Sequence, residues 1–143
     1  MTSAVDTQQG HGEGILYLDD EEPLVFLVTR YLQRIGYEPS GFTKASEALT
    51  AFKSHPQKFA LVLSDLSMPG TSGIDFAREL LAAAPGTPVV IVTGCVMPAD
   101  VTRAMAVGVR SVIQKPLVVE ELGPLVGRLL NEIAAASATR KPV

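Results

Sequence analysis

Four apolar runs in this 143-residue chain stop at a residue that can do chemistry. Ile15-Leu16-Tyr17-Leu18 runs into Asp19 and Asp20, Phe59-Ala60-Leu61-Val62-Leu63 into Ser64 and Asp65, Val89-Val90-Ile91-Val92 into Thr93, and Ser111-Val112-Ile113-Gln114 into Lys115. If the runs are parallel neighbours, three carboxylates, a hydroxyl and an ammonium gather on one rim. Carboxylates so placed repel one another, and a hard divalent cation relieves the repulsion. Mg²⁺ takes oxygen ligands, few of them carboxylates, and keeps several waters. Asp20 and Asp65 are the candidate direct ligands, Asp19 acts through water, and the Ser67 backbone carbonyl completes the protein's share. The open positions suit a phosphoryl oxygen. Phosphoryl transfer is mostly positioning and charge neutralisation. Mg²⁺ and Lys115 would stand on opposite sides of the group, with the Thr93 hydroxyl on one of its oxygens. Asp65 is then the candidate nucleophile, forming an aspartyl phosphate.

The elements that must bring these residues together alternate two periodicities. Short apolar runs read as strands buried on both faces, as in a parallel sheet. Between them the spacing is helical: Pro23 to Ile35, stopped by Gly36; Ala45 to Phe52; Ile74 to Ala84, closed by Pro85-Gly86; Asp100 to Val107, stopped by Gly108; and Val119 to Ile133. Glu38 to Phe42 is a weaker strand candidate. The sum is an α/β, (βα)5 doubly wound sheet, in which ligands bind beyond the carboxyl ends of the strands. The expected organisation is a flexible leader over 1–13, one domain over 14–133 and a flexible tail over 134–143.

Composition narrows the function. Net charge is −3, whereas a mainly electrostatic nucleic-acid binder would be basic, so no direct nucleic-acid contact is expected. Cys95 is the single cysteine, which excludes an intrachain disulfide and a cysteine-rich zinc site. It reads as a small buried hydrophobe. The start lacks an apolar signal core and no run approaches the roughly 20 residues of a membrane span. The expected setting is therefore cytoplasmic, away from membranes. His11 and His55 fall in leader and loop and take no role.

Together the motifs Leu18-Asp19-Asp20-Glu21, Ser64-Asp65-Leu66-Ser67-Met68-Pro69-Gly70 with Gly73, Val92-Thr93-Gly94 and Lys115-Pro116 resemble the receiver domain of two-component response regulators, from about Ile15 to Ile133. The resemblance implies a flavodoxin-like (CheY-like) sheet of order 2-1-3-4-5 and a phosphoacceptor at Asp65. It implies Mg²⁺ at Asp20 and Asp65 with help from Asp19, phosphate contacts from Thr93 and Lys115, and a cis peptide before Pro116. The implied partners are a sensor histidine kinase or histidine phosphotransfer protein as donor, and a downstream protein. The chain would not be an enzyme beyond catalysing its own phosphorylation and dephosphorylation. One residue departs from the pattern. Receivers usually carry Tyr or Phe three residues before the lysine, and here that position is Val112, which has no ring to change rotamer. Leu117 also stands where an aromatic often follows Lys-Pro.

Two other classes compete. A binding module with a degenerate switch draws on Val112. An aspartate-nucleophile phosphatase of the haloacid dehalogenase type shares the Asp, Thr, Lys and Mg²⁺ set, but places its nucleophile on the first strand and an acidic pair after the lysine, where this chain has no Asp. Because the chain ends soon after the last helix, a single-domain regulator or a receiver cut from a hybrid kinase is expected. Ser67 and Gly94, small and uncharged beside the acceptor, predict moderate water access and no long-lived phosphorylated state. Helix one, with Pro23, Leu24 and Leu27, is the expected donor-docking surface, and Thr102, Arg103 and Met105 on helix four are expected output contacts.

Overall fold

The computed structural model describes residues 10–116 and 118–139. In chain order, the elements are β1 (Gly14–Leu18), α1 (Glu22–Arg34), β2 (Glu38–Phe42), α2 (Ala45–Ser54), β3 (Phe59–Asp65), α3 (Gly73–Ala83), β4 (Val89–Thr93), α4 (Pro98–Ala106), β5 (Ser111–Gln114) and α5 (Leu122–Thr139). A two-residue hairpin, Ser67–Met68 against Thr71–Ser72, lies between β3 and α3. The five strands are parallel in the order β2-β1-β3-β4-β5, the doubly wound sheet that the alternating periodicities require.

The three central strands β1, β3 and β4 divide their side chains between two cores. Leu16, Leu18, Val62 and Ile91 pack with Phe52, Phe76, Ala77, Leu80 and Ala104 of α2, α3 and α4. Their neighbours Ile15, Tyr17, Leu61, Leu63 and Val90 pack on the other face with Val25, Val28 and Leu32 of α1 and with Leu122, Val126 and Leu129 of α5. The period of two along a strand produces this sorting. Burial on both faces explains why the strands read as unbroken apolar runs. Removing a large side chain from either core, as in Leu16→Ala, costs about 2–5 kcal/mol.

Element boundaries follow local chemistry. Gly36 and Gly108 have φ of 105° and 104°, the left-handed conformation that ends a helix and favours glycine. α4 begins at Pro98, two residues before the expected Asp100, because proline at the first helical position lacks only an N–H that would be unpaired anyway. β2 forms despite Pro39 and Gly41 because it is an edge strand. α1 also lies over it: a Cβ on Gly41 would stand 2.6 Å from methyl groups of Val25 and Thr29.

The expected ends need correction within the described residues. α5 runs to Thr139, past the expected boundary at 133, because Ala134 to Ala136 and Ala138 carry the highest helix propensity. A 3-10 turn over Val119–Glu121 replaces its first expected turn. Gly10 to Glu13, expected as leader, instead lies against the α1–β2 turn: Gly10 N donates to Ile35 O, Gly12 N to Gly36 O, and Glu13 O accepts from Glu38 N. Residues 1–9, Leu117 and residues 140–143 lie outside the described residues, so the rest of the expected leader and tail does too.

Candidate functional site

The carboxyl end of the sheet gathers what four separate segments carry. β1 delivers Asp19 and Asp20, β3 ends in Asp65, β4 ends in Thr93, and Lys115 follows β5. One carboxylate oxygen from each of Asp19, Asp20 and Asp65 lies within 4.8 Å of the others. Lys115 Nζ is 2.8 Å from Asp19 Oδ2 and 3.3 Å from Asp65 Oδ1. The Lys115 backbone N donates to Thr93 O at 2.8 Å, so strand pairing places the stem and the ammonium reaches inward from it. Lys115–Pro116 is not cis: no peptide bond among the described residues is. This corrects the expectation. A prolyl bond favours trans by about 0.5–1 kcal/mol, and here the trans chain already delivers Nζ to both carboxylates.

Burial and charge set the electrostatics. Asp19 has 0% exposure. Its Oδ1 accepts from Glu21 N at 3.0 Å, and its Oδ2 accepts from Lys115 and from the Tyr17 hydroxyl at 3.3 Å. Asp20 is exposed at the rim. Burial pushes the Asp65 carboxyl above its ordinary range; the Lys115 charge opposes this, and the Asp19 charge adds to it. Burial also works against the Lys115 ammonium, but its bond to Asp19 and the charges of Asp19 and Asp65 outweigh that and hold it protonated above the usual lysine range. The Tyr17 phenol is pushed far up, first by burial and then by the Asp19 charge, so it remains an O–H donor.

The three carboxylates against one ammonium leave excess negative charge in a small volume. An all-oxygen donor set of this kind fits a hard divalent cation of the Mg²⁺ class. Ser67 is exposed directly beyond Asp65 and Leu66, in the first strand of the hairpin. The hairpin is held close by α3: Gly73 N donates to Leu66 O at 2.7 Å, and a Cβ on Gly73 would run into the Asp65 carbonyl oxygen. Gly73→Ala should therefore destabilise the fold by about 2 kcal/mol, read by urea denaturation. Unchanged stability would show that the β3–α3 junction has slack.

Thr93 sits differently from its expected use. Its hydroxyl donates to Cys95 O at 3.2 Å and accepts from Cys95 N at 3.3 Å, so it braces the β4–α4 loop. Cys95 was expected to be buried and is exposed, with Sγ 3.7 Å from Met97 Sδ, because the loop leaves the sheet at Gly94. Val112 packs on the α2–α4 core. Leu27 is exposed, and Leu24 and Leu27 line an apolar cleft of about 450 Å³ with Tyr17, Lys115, Pro116 and Val118. Tyr17 was not anticipated at the site. The signal was present: it is a tyrosine in an aliphatic strand, two residues before Asp19, and side chains two apart on a strand share a face.

The chain is similar to known proteins in sequence and in fold. The family model described as "Response regulator receiver domain" matches residues 15–126. The DNA-binding response regulator MtrA of Mycolicibacterium smegmatis is 35% identical over 109 residues, which are 76% of this chain and 46% of that protein. The transcriptional regulatory protein RprY of Bacteroides fragilis is 29% identical over 119 residues, 83% of this chain and 50% of its own. The chain thus spans about half the length of these curated relatives. In structure, a response regulator receiver domain protein from Clostridium thermocellum superposes with a TM-score of 0.76 at 26% identity, covering 87% of this chain and 98% of that one. The chemotaxis protein CheY4 of Vibrio cholerae does so with a TM-score of 0.75 at 26% identity, covering 82% and 98%.

Proposed function

The chain belongs to the response regulator receiver domain family, and on that premise we propose that Asp65 accepts a phosphoryl group from a phosphohistidine of a sensor kinase or phosphotransfer protein. The observation that carries this is the gathering of Asp19, Asp20, Asp65 and Lys115 at the carboxyl end of the sheet. An Asp65 carboxylate oxygen attacks phosphorus, the P–N bond to the imidazole breaks, and its electron pair stays on nitrogen. To reset the site, water attacks phosphorus, the P–O bond to Asp65 breaks, inorganic phosphate leaves the carboxylate behind, and the water's proton passes to solvent. Asp20, Asp65 and the Ser67 carbonyl would hold Mg²⁺, with Asp19 beyond a water. The bound ion supplies positive charge that offsets the carboxylates and the phosphoryl oxygens. Lys115 supplies the second positive charge. Thr93 hydrogen-bonds a phosphoryl oxygen by leaving Cys95, which frees the loop that carries exposed Val96 and Met97.

That release is an output route that needs no ring at position 112. The family match and the clustered carboxylates with Lys115 support phosphorylation-dependent signalling to a protein partner over a binding module with an idle switch. The acceptor at the end of the third strand, not the first, also argues against the phosphatase reading. Among the described residues no helix is long and apolar enough to cross a membrane. The donor reaches Asp65 over the exposed rim at Asp20 and the face of α1 around Leu24 and Leu27.

Intact-mass spectrometry after incubation with acetyl phosphate and Mg²⁺ tests the assignment. One added phosphoryl group is expected, absent with chelator. No adduct on the wild-type chain from acetyl phosphate or from a phosphorylated donor would refute it. The lifetime of the adduct has its own test. Gly94 is exposed, and a Cβ there meets nothing within 4 Å. Gly94→Val should fold with an unaltered Tm and lose phosphate about threefold or more slowly, by shielding phosphorus from water. An unchanged loss rate would place the water's path elsewhere.

A further inference from the structure

Asp19 is the one fully buried carboxylate of the site, and the geometry divides its Oδ2 between two unequal donors. Lys115 Nζ holds it at 2.8 Å, while the Tyr17 hydroxyl stands at 3.3 Å, long for an O–H···O bond to a charged oxygen. These are the two hydrogen bonds to Oδ2 among the described residues; Oδ1 is taken by Glu21 N. The two donors differ in freedom. The Tyr17 ring is packed between β1, α1 and α5 and is 4% exposed. Lys115 is half-buried at the end of a flexible stem, and its ammonium already lies 3.3 Å from Asp65.

We infer that Tyr17 is a positioning residue for phosphoryl acceptance, whose hydroxyl takes over Asp19 Oδ2 when Lys115 moves to the phosphoryl group; this rests on Asp65 being the acceptor. New negative charge on Asp65 draws the ammonium off Asp19. A buried carboxylate oxygen stripped of its donor is costly. The phenol is already aimed at that oxygen, and the slack in its bond lets it shorten as the lysine leaves. Phenylalanine would fill the same space and offer no donor, so Lys115 would be released less readily. The aliphatic positions around Tyr17 on β1 could not do this. The hydroxyl therefore acts through Asp19 and Lys115, without touching the transferred group.

The test compares wild type, Tyr17→Phe and Tyr17→Leu at saturating Mg²⁺, measuring the phosphorylation rate from acetyl phosphate by intact mass, the Tm by circular dichroism and Mg²⁺ affinity by calorimetry. Both variants should be phosphorylated about tenfold more slowly, the effect of one hydrogen bond to a charged group. Mg²⁺ affinity should stay within about twofold, and the Tm should fall clearly only for Tyr17→Leu, which also loses ring packing. A Tyr17→Phe rate equal to wild type overturns the inference. So does a rate that follows the Tm across the variants, which would make the residue merely structural. A deficit that lies in Mg²⁺ affinity and vanishes at saturation also overturns it. If the wild-type chain itself takes up no phosphoryl group from acetyl phosphate or a phosphorylated donor, the acceptor reading falls and this inference with it; every other failure leaves that reading standing.

Discussion

Asp65→Asn should abolish phosphoryl uptake and at the same time make the protein more stable. The first effect follows from chemistry: an amide oxygen at this position is no nucleophile toward phosphorus at neutral pH. The second follows from the site's electrostatics. Burial and the Asp19 charge together outweigh Lys115, and the carboxyl is held above its ordinary range. The folded state therefore resists ionising Asp65. A carboxyl with a raised folded value binds more protons folded than unfolded, so in metal-free protein stability falls as pH rises from the ordinary aspartate value through the raised one. Asn removes that slope. The gain should be absent at low pH, complete at neutral pH and about 3 °C in Tm for a chain of this size. Thermal melts of both proteins from pH 3 to pH 7.5 in chelator read it directly. A variant less stable than wild type at neutral pH would mean that the ion pair with Lys115 outweighs burial. On the expected result, Asp65 lowers the stability of the fold for the sake of function, as functional sites commonly do.

Lys115→Met should do the opposite to stability while also removing most of the activity. The methionine keeps the length of the stem and deletes the charge. Asp19, fully buried, then holds its negative charge on the Tyr17 hydroxyl and the Glu21 N–H alone. Removing one partner of a buried pair costs 3–5 kcal/mol when the burial is complete. Lys115 keeps 27% of its side chain exposed, so a loss of about 2 kcal/mol is expected at pH 7 by urea denaturation. Mg²⁺ should restore more stability to this variant than to wild type, because it replaces the missing positive charge. The phosphorylation rate should fall at least about a hundredfold, as for other preorganised charges aimed at a transferring group. The pH dependence carries a further sign. The Lys115 ammonium is held protonated above the usual lysine range, so its contribution is full below the unfolded lysine value and is lost as pH rises through the higher folded one. Wild type should shed this stability at alkaline pH, and Lys115→Met should not. Equal stability of the two proteins at pH 7 would show that the pair contributes nothing.

Both predictions depend on residues that are far apart in the chain and that the sequence already distinguishes. Asp19, Asp20, Asp65 and Lys115 were legible because each follows an apolar run, and the carboxyl ends of parallel strands face one rim. The helix stops at Gly36 and Gly108 were legible because a left-handed residue is required there. β2 was only faintly legible, since Pro39 and Gly41 contradict strand propensity; its place at the sheet edge, under α1, is what tolerates them. The end of α5 was misplaced because short, small side chains look like a tail, whereas alanines extend a helix that tertiary packing has already begun.

The alternation of strands and helices, the order of the motifs and the set of groups on the rim can all be read along the chain. These are local matters, decided by periodicity, turn chemistry and residue type. Tertiary structure alone decided how those groups share one another. It set Lys115 between Asp19 and Asp65 instead of free for a ligand, turned the Thr93 hydroxyl to Cys95, and brought the phenol of a core tyrosine to a buried carboxylate. Hydrogen bonds and charge pairs form across distances of a few ångströms between segments as far apart as residues 19 and 115, and no pattern along the chain records those distances.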